Sequence, residues 1–189
     1  LGEKHADVVL KHCNLVNVLS GEIEQDVEIA IAGKEIVGVG HGYEGKEELD
    51  VAGKYVFPGL IDAHIHLEST KLTIPEVARM MARFGTSAVI TDPHEIGNVA
   101  SLDGVAYQMD SAKNNGFIDV FFVAPSCVPT LTDASIETAP SALDADKLRM
   151  LAEHPDVVGL GEMMNAPGVL MGDETVIEKI RDYRERGLI

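Results

Sequence analysis

From Pro58 onward the sequence repeats one pattern: a short apolar run, a stretch with apolar residues at helical spacing, then another short run. The first run is Leu60-Ile61-Asp62-Ala63. Thr73-Ile74-Pro75-Glu76 then has the form of a capping box with Pro in the first turn, and Val77, Met80, Met81 and Phe84 recur at helical spacing up to Gly85. The alternation continues with a strand at 86–91, a helix at 101–115 closed by Gly116, and a strand at 118–123. A helix at 144–154, a strand at 157–160 and a helix at 173–186 follow, the last striped by Val176, Ile180 and Tyr183 and ending at Gly187. Strands joined through helices run parallel, so the class is α/β. Such units close into a barrel or stay open and doubly wound, and the Gly-rich nucleotide turn that favours the open form is absent. The expectation is a (β/α)8 barrel of the TIM type. A closed barrel takes about 250 residues, so 58–189 reads as the first four βα units of a longer protein, with Gly187-Leu188-Ile189 opening a fifth strand.

Residues 1–57 follow a different rule. Short β-type runs at 7–11, 23–32, 34–39 and 54–57 are separated by turn residues, and Ala32-Gly33-Lys34 is a hairpin turn. In Val27-Glu28-Ile29-Ala30-Ile31 the alternation suits a sheet with one covered face. So few short strands make a thin core, and this part needs partner strands from elsewhere. The boundary falls near Pro58.

The charge balance limits the partners. Fifteen basic residues against 31 acidic ones give a formal charge of -16, which repels phosphate backbones and anionic lipid headgroups. No nucleic-acid polymer and no membrane partner is expected. Arg181, Arg184 and Arg186 alternate with Glu178, Asp182 and Glu185 at helical spacing, as on a solvated helix face. Cys13 and Cys127 suggest neither a disulfide framework nor a thiolate zinc site. With no signal-peptide pattern and no apolar run near the ~18 residues of a membrane span, a cytoplasmic protein is expected.

Catalytic groups in a βα barrel sit at the C-terminal ends of strands. After the first strand, His64 and His66 are two apart in an extended segment and point the same way. Two imidazoles facing one point form half of a metal site, or else a hydrogen-bonded structural pair. After the second strand come Asp92, His94 and Glu95, as substrate contacts or acid and base groups, although Asp92 in that place also suits a helix cap. After the third, Pro125-Ser126-Cys127-Val128-Pro129 is a rigid loop. No adjacent His or Lys activates Cys127 as a nucleophile, which leaves it as loop wall. After the fourth, Glu162 stands among apolar neighbours, where a buried carboxylate needs a cation; a surface Glu is the plainer alternative. His5, His12, His41 and His154 lie outside the strand ends and read as structural or surface residues.

Pro58-Gly59-Leu60-Ile61-Asp62-Ala63-His64-Ile65-His66 resembles the strand-one signature of the amidohydrolase superfamily. His66-Leu67-Glu68-Ser69, Thr91-Asp92-Pro93-His94-Glu95-Ile96, Pro125-Ser126-Cys127-Val128-Pro129 and Gly161-Glu162-Met163-Met164-Asn165 extend the resemblance, over nearly the whole chain, to its bacterial and archaeal adenine deaminase family. The resemblance implies a (β/α)8 barrel beside a small β-sandwich built from both ends of a longer chain, with 1–57 as one portion. It implies a binuclear site, usually manganese or iron with zinc as a further option, in which His64 and His66 bind one metal and Glu162 bridges both. Asp92 and His94 then lie close to the substrate as catalytic groups with Glu162, and Asp92, Glu95 and Cys127 contact a purine base. The remaining ligands, histidines after strands five and six and an aspartate after strand eight, fall beyond Ile189. The implied reaction is hydrolysis of adenine to hypoxanthine and ammonia in purine salvage, by a homo-oligomer.

Two other readings compete. A hydantoinase- or dihydroorotase-like cyclic-amide hydrolase shares the first histidines but usually bridges its metals through a carboxylated lysine after strand four. Here that place holds Glu162, and 157–171 contains no lysine. A non-catalytic metal-binding module would be complete at 189 residues.

Overall fold

The computed structural model describes residues 5–131 and 137–188. The chain divides into two compact units, Leu1–Pro58 and Gly59–Ile189.

The first unit is one mixed sheet. Its strands are β1 (Ala6–Asn17), β2 (Glu22–Ala32), β3 (Glu35–Gly40), β4 (Gly45–Asp50) and β5 (Tyr55–Val56), in the order β3-β2-β1-β4 with β5 also on β1. The β2–β3 hairpin turns at Gly33-Lys34, where Gly33 takes a left-handed φ of 60° that costs a residue without a side chain little. β1 is much longer than the run at 7–11. A register shift between Leu10 and Cys13, with His12 at φ 55°, carries it past a polar break that hides its continuation in the sequence. β4 is unannounced because Gly-Lys-Glu-Glu-Leu-Asp has no apolar alternation; its parallel ladder to β1 holds it. Apolar residues pack on both faces, Val9 and Ala30 on one and Cys13, Val27 and Ile29 on the other.

The second unit is a parallel sheet, β6 (Leu60–Ile65), β7 (Thr86–Thr91), β8 (Asp119–Ala124) and β9 (Val157–Leu160), adjacent in chain order. Its helices are α1 (Ile74–Ala82), α2 (His94–Lys113), α3 (Ala145–Ala152), α4 (Ala166–Met171) and α5 (Glu174–Glu185), and a 3-10 turn spans Leu67–Thr70. One sheet face packs Val89 and Phe122 against Val105, Met109, Leu148 and Tyr183 of the helices. On the other face every second strand residue (Ile61 and Ala63, Ala88 and Ile90, Phe121 and Val123, Val158 and Leu160) lines an open trough of about 500 Å³. Among the described residues no helix is long and apolar enough to cross a membrane.

Three local expectations change. Thr73 stands at the N-cap of α1 without a side-chain capping bond, and Glu76 pairs with Arg79 instead of closing a box. The buried row of α1 is Ile74, Val77 and Ala78 with Met81 half-buried, whereas Met80 and Phe84 are 50% and 82% exposed. Met80 belongs to the neighbouring helical row, which a count of apolar residues does not separate from the buried one, and Phe84 lies past the end of α1 in the turn before β7. α2 starts at His94 rather than Ser101, and Ser101 (φ 54°, ψ -141°) interrupts it. Its N-cap, Pro93, has no capping side chain, so Glu68 supplies the acceptor from the 3-10 turn: its Oε1 lies 3.1 Å from the Glu95 N–H nitrogen and 3.5 Å from that of Ile96. α4 is a helix beyond those the periodicity predicts, and Asn165 caps it at Gly168 N with Pro167 in its first turn.

α3 and α5 are fastened where Tyr183 Oη donates to the Leu148 carbonyl at 2.6 Å, both buried, and where Arg149 binds Glu178 and Asp182. Tyr183→Phe deletes one buried hydrogen bond and leaves the ring in place. We expect the unfolding free energy to fall by about 1 kcal/mol in urea titration, and Leu148→Ala to cost about 2–5 kcal/mol in the same assay.

Candidate metal centre

The C-terminal ends of β6, β7 and β9 bring the expected residues together. The ring centroids of His64 and His66 are 4.9 Å apart. Each histidine presents its Nε2 to the same oxygen, Glu162 Oε1, at 3.3 Å. His66 Nδ1 lies 2.8 Å from the Asp92 carbonyl oxygen. A carbonyl only accepts, so Nδ1 carries the proton and the Nε2 of a neutral ring is left with its lone pair. Nε2 and a carboxylate oxygen are then two acceptors face to face, an arrangement that calls for a cation or an added proton between them. The donor set of two imidazoles and one carboxylate fits a divalent ion.

Glu162 is not buried as the sequence suggested, its side chain being 40% exposed. It extends from the end of β9 into the trough, and what is held tightly is its backbone. The N–H donates to Asp92 Oδ2 at 3.1 Å, and the carbonyl accepts from Ser126 Oγ at 2.5 Å. The preceding Gly161 makes this possible, because a Cβ there would lie 2.3 Å from Asp92 Oδ2 and 3.0 Å from the Ala124 carbonyl.

Asp92 is 1% exposed and does not cap α2, since its carboxylate turns toward Glu162. Its Oδ1 lies 3.7 Å from His94 Nδ1, beyond hydrogen-bond range. The His94 ring packs edge-on to His66 at 4.5 Å. Asp92, His94 and Glu162 form a second group of groupable ligand atoms beside His64, His66 and Glu162. Glu95 lies one residue further, half-buried, with its carboxylate taking the Ser69 hydroxyl. Cys127 is buried behind the site: its Sγ accepts the Met164 N–H at 2.9 Å and touches Met163 Sδ at 3.7 Å, and it does not line the trough. Glu68, Ser126 and Gly161 escaped the sequence reading as site residues. Only Gly161 left a signal, a glycine at a strand end where another group approaches closely.

The carboxylate of Asp92 raises the His94 pKa above its usual value against the opposing effect of burial. A raised folded-state pKa contributes stability that is complete below the unfolded value of about 6.5 and is lost as pH rises through the higher folded value.

A parallel βα sheet whose first strand ends in a histidine pair, facing a carboxylate from the fourth, defines a class of hydrolase. The chain matches the amidohydrolase family over residues 55–189 and belongs to it. Within that family it is homologous to adenine deaminases. It is 48% identical over 181 residues to the adenine deaminase of Clostridium acetobutylicum, covering 96% of this chain and 31% of that protein. It is 42% identical over 189 residues to that of Thermosipho africanus, covering 98% and 32%. The chain thus spans about a third of the length of these relatives. A D-hydantoinase crystal structure shares the fold with a TM-score of 0.54 over 80% of this chain and 32% of that one, at 22% identity.

The His94–Asp92 pairing is open to direct measurement. In metal-free protein, NMR titration should place His94 above about 6.5, and Asp92→Asn should bring it down. An unchanged His94 titration would contradict the pairing.

Proposed function

We propose that the whole protein hydrolyses adenine to hypoxanthine and ammonia with a pair of divalent ions, Mn2+ or Fe2+ and less readily Zn2+. His64 and His66 would hold one ion, and the Glu162 carboxylate would be shared with the second. The observation that carries this reading is the convergence of both Nε2 atoms on Glu162 Oε1 at 3.3 Å, in a chain 48% identical to an adenine deaminase. Bound divalent ions lower the pKa of water toward neutrality.

In the reaction a water oxygen bonds to the purine carbon bearing the amino group, that carbon loses its amino nitrogen, and one water proton ends on the departing ammonia. Glu162 reaches into the trough and takes the proton from water. His94, kept protonated to higher pH by Asp92, returns one to the leaving nitrogen. Asp92 holds the Glu162 backbone, faces His94 across 3.7 Å, and borders the base together with Glu95. Cys127 acts from behind, shaping the Met163-Met164 wall. We further propose a cytoplasmic homo-oligomer in which the 1–57 sheet completes a composite β-sandwich with strands from the rest of the protein.

The test is ammonia release from adenine by the whole protein loaded with Mn2+ or Fe2+, with cytosine, dihydroorotate and hydantoin as controls. Release from adenine alone is expected, and His66→Ala should lose both bound metal and turnover. Turnover of a cyclic amide with none of adenine would overturn the reading.

A further inference from the structure

A chain of hydrogen bonds runs from α5 into the metal centre. Lys179 Nζ, on α5, donates to the Ser126 carbonyl at 2.9 Å. The Ser126 hydroxyl donates to the Glu162 carbonyl at 2.5 Å, the Glu162 N–H donates to Asp92 Oδ2 at 3.1 Å, and His66 Nδ1 donates to the Asp92 carbonyl at 2.8 Å. Ser126 is 2% exposed, so its hydroxyl has little freedom to choose water instead. The Ser126 loop is tied a second time through Cys127 Sγ and the Met164 N–H.

Lys179 is costly where it stands. Its side chain is half-buried and burial pushes its pKa down, and an ammonium partly withdrawn from water loses solvation that one carbonyl does not fully replace. A methionine of similar length would pack there without that cost, and α5 already buries Val176 and Tyr183 against the core. Lysine at 179 therefore has its reason in what it holds rather than in what it packs against.

We propose that Lys179 is a positioning residue for the metal centre: it fixes Ser126, whose hydroxyl fixes the Glu162 backbone and so the direction from which the carboxylate meets His64 and His66. The proposal rests on the reading of Glu162 as a metal ligand. Lys179 touches neither the ligands nor the trough, so its effect is carried entirely through Ser126.

The experiment compares Lys179→Met, Lys179→Arg and Ser126→Ala in the whole protein. Mn2+ affinity is read by competition with a chelating dye, kcat and KM by ammonia release from adenine, and folding by thermal unfolding. Loss of an outer partner of a metal ligand costs about 10–100-fold in affinity, and Lys179→Met should weaken Mn2+ binding by about tenfold. It should lower kcat with KM changed less than about twofold, an interaction lost after substrate binding. Lys179→Arg, which keeps a cationic donor, should recover most of the affinity. Ser126→Ala should match Lys179→Met, and the double variant should be no weaker than either alone, as for two links of one chain.

Wild-type Mn2+ affinity in a folded Lys179→Met overturns the proposal, as do losses that add in the double variant. If Lys179→Met does not fold, Ser126→Ala and Lys179→Arg decide: wild-type affinity in Ser126→Ala, or an Arg variant as weak as Ser126→Ala, overturns it equally. Glu162→Gln separates the two levels. Unchanged Mn2+ binding in that variant sinks the ligand reading itself, whatever position 179 does.

Discussion

Asp92 is the point on which three strand ends are fastened together. Its N–H donates to the Ile65 carbonyl at the end of β6, its own carbonyl takes the His66 ring proton, and its carboxylate takes the Glu162 N–H beyond β9. A buried carboxylate is strongly disfavoured unless it is hydrogen-bonded or faces a positive charge, and here the Glu162 N–H meets Oδ2 while the His94 imidazole, its pKa raised by this carboxylate, stands 3.7 Å from Oδ1. The arrangement fixes a tautomer as well as a distance. With the His66 Nδ1 proton committed to a carbonyl, the opposite nitrogen is aimed at Glu162 and at whatever lies between them. The centre is built from backbone groups at rigid strand ends, which hold position better than loops do.

What the sequence revealed and what it hid divide along a physical line. The parallel sheet was legible because β8, apolar over 120–124, and β9 are short apolar runs and because helical spacing recurs between strands. His64 and His66 were legible because a two-residue step in an extended segment has only one outcome for side-chain direction. The first turns of α2 were not, since their cap is Glu68, 27 residues before Glu95. The same is true of Ser126 and Lys179, which come together across 53 residues and leave no local periodicity. The exposure of Glu162 is not visible in its apolar sequence neighbours because the trough that Leu160 lines is open, leaving the carboxylate 40% exposed.

Electrostatics at the scale of the whole chain agrees with chemistry at the scale of the site. A formal charge of -16 gives a surface field that gathers cations and turns away phosphorylated molecules. Arg149 on α3 is paired with three carboxylates, those of Asp146, Glu178 and Asp182.

Gly161 carries a consequence of another kind. A Cβ at this position would occupy space held by the Asp92 carboxylate, so the two positions share one volume. Enlarging residue 161 requires the Asp92 carboxylate to move, and exchanging residue 92 releases the backbone of residue 162. Positions 92 and 161, some seventy residues apart in the chain, therefore share one steric allowance, and a change at either is felt at the other.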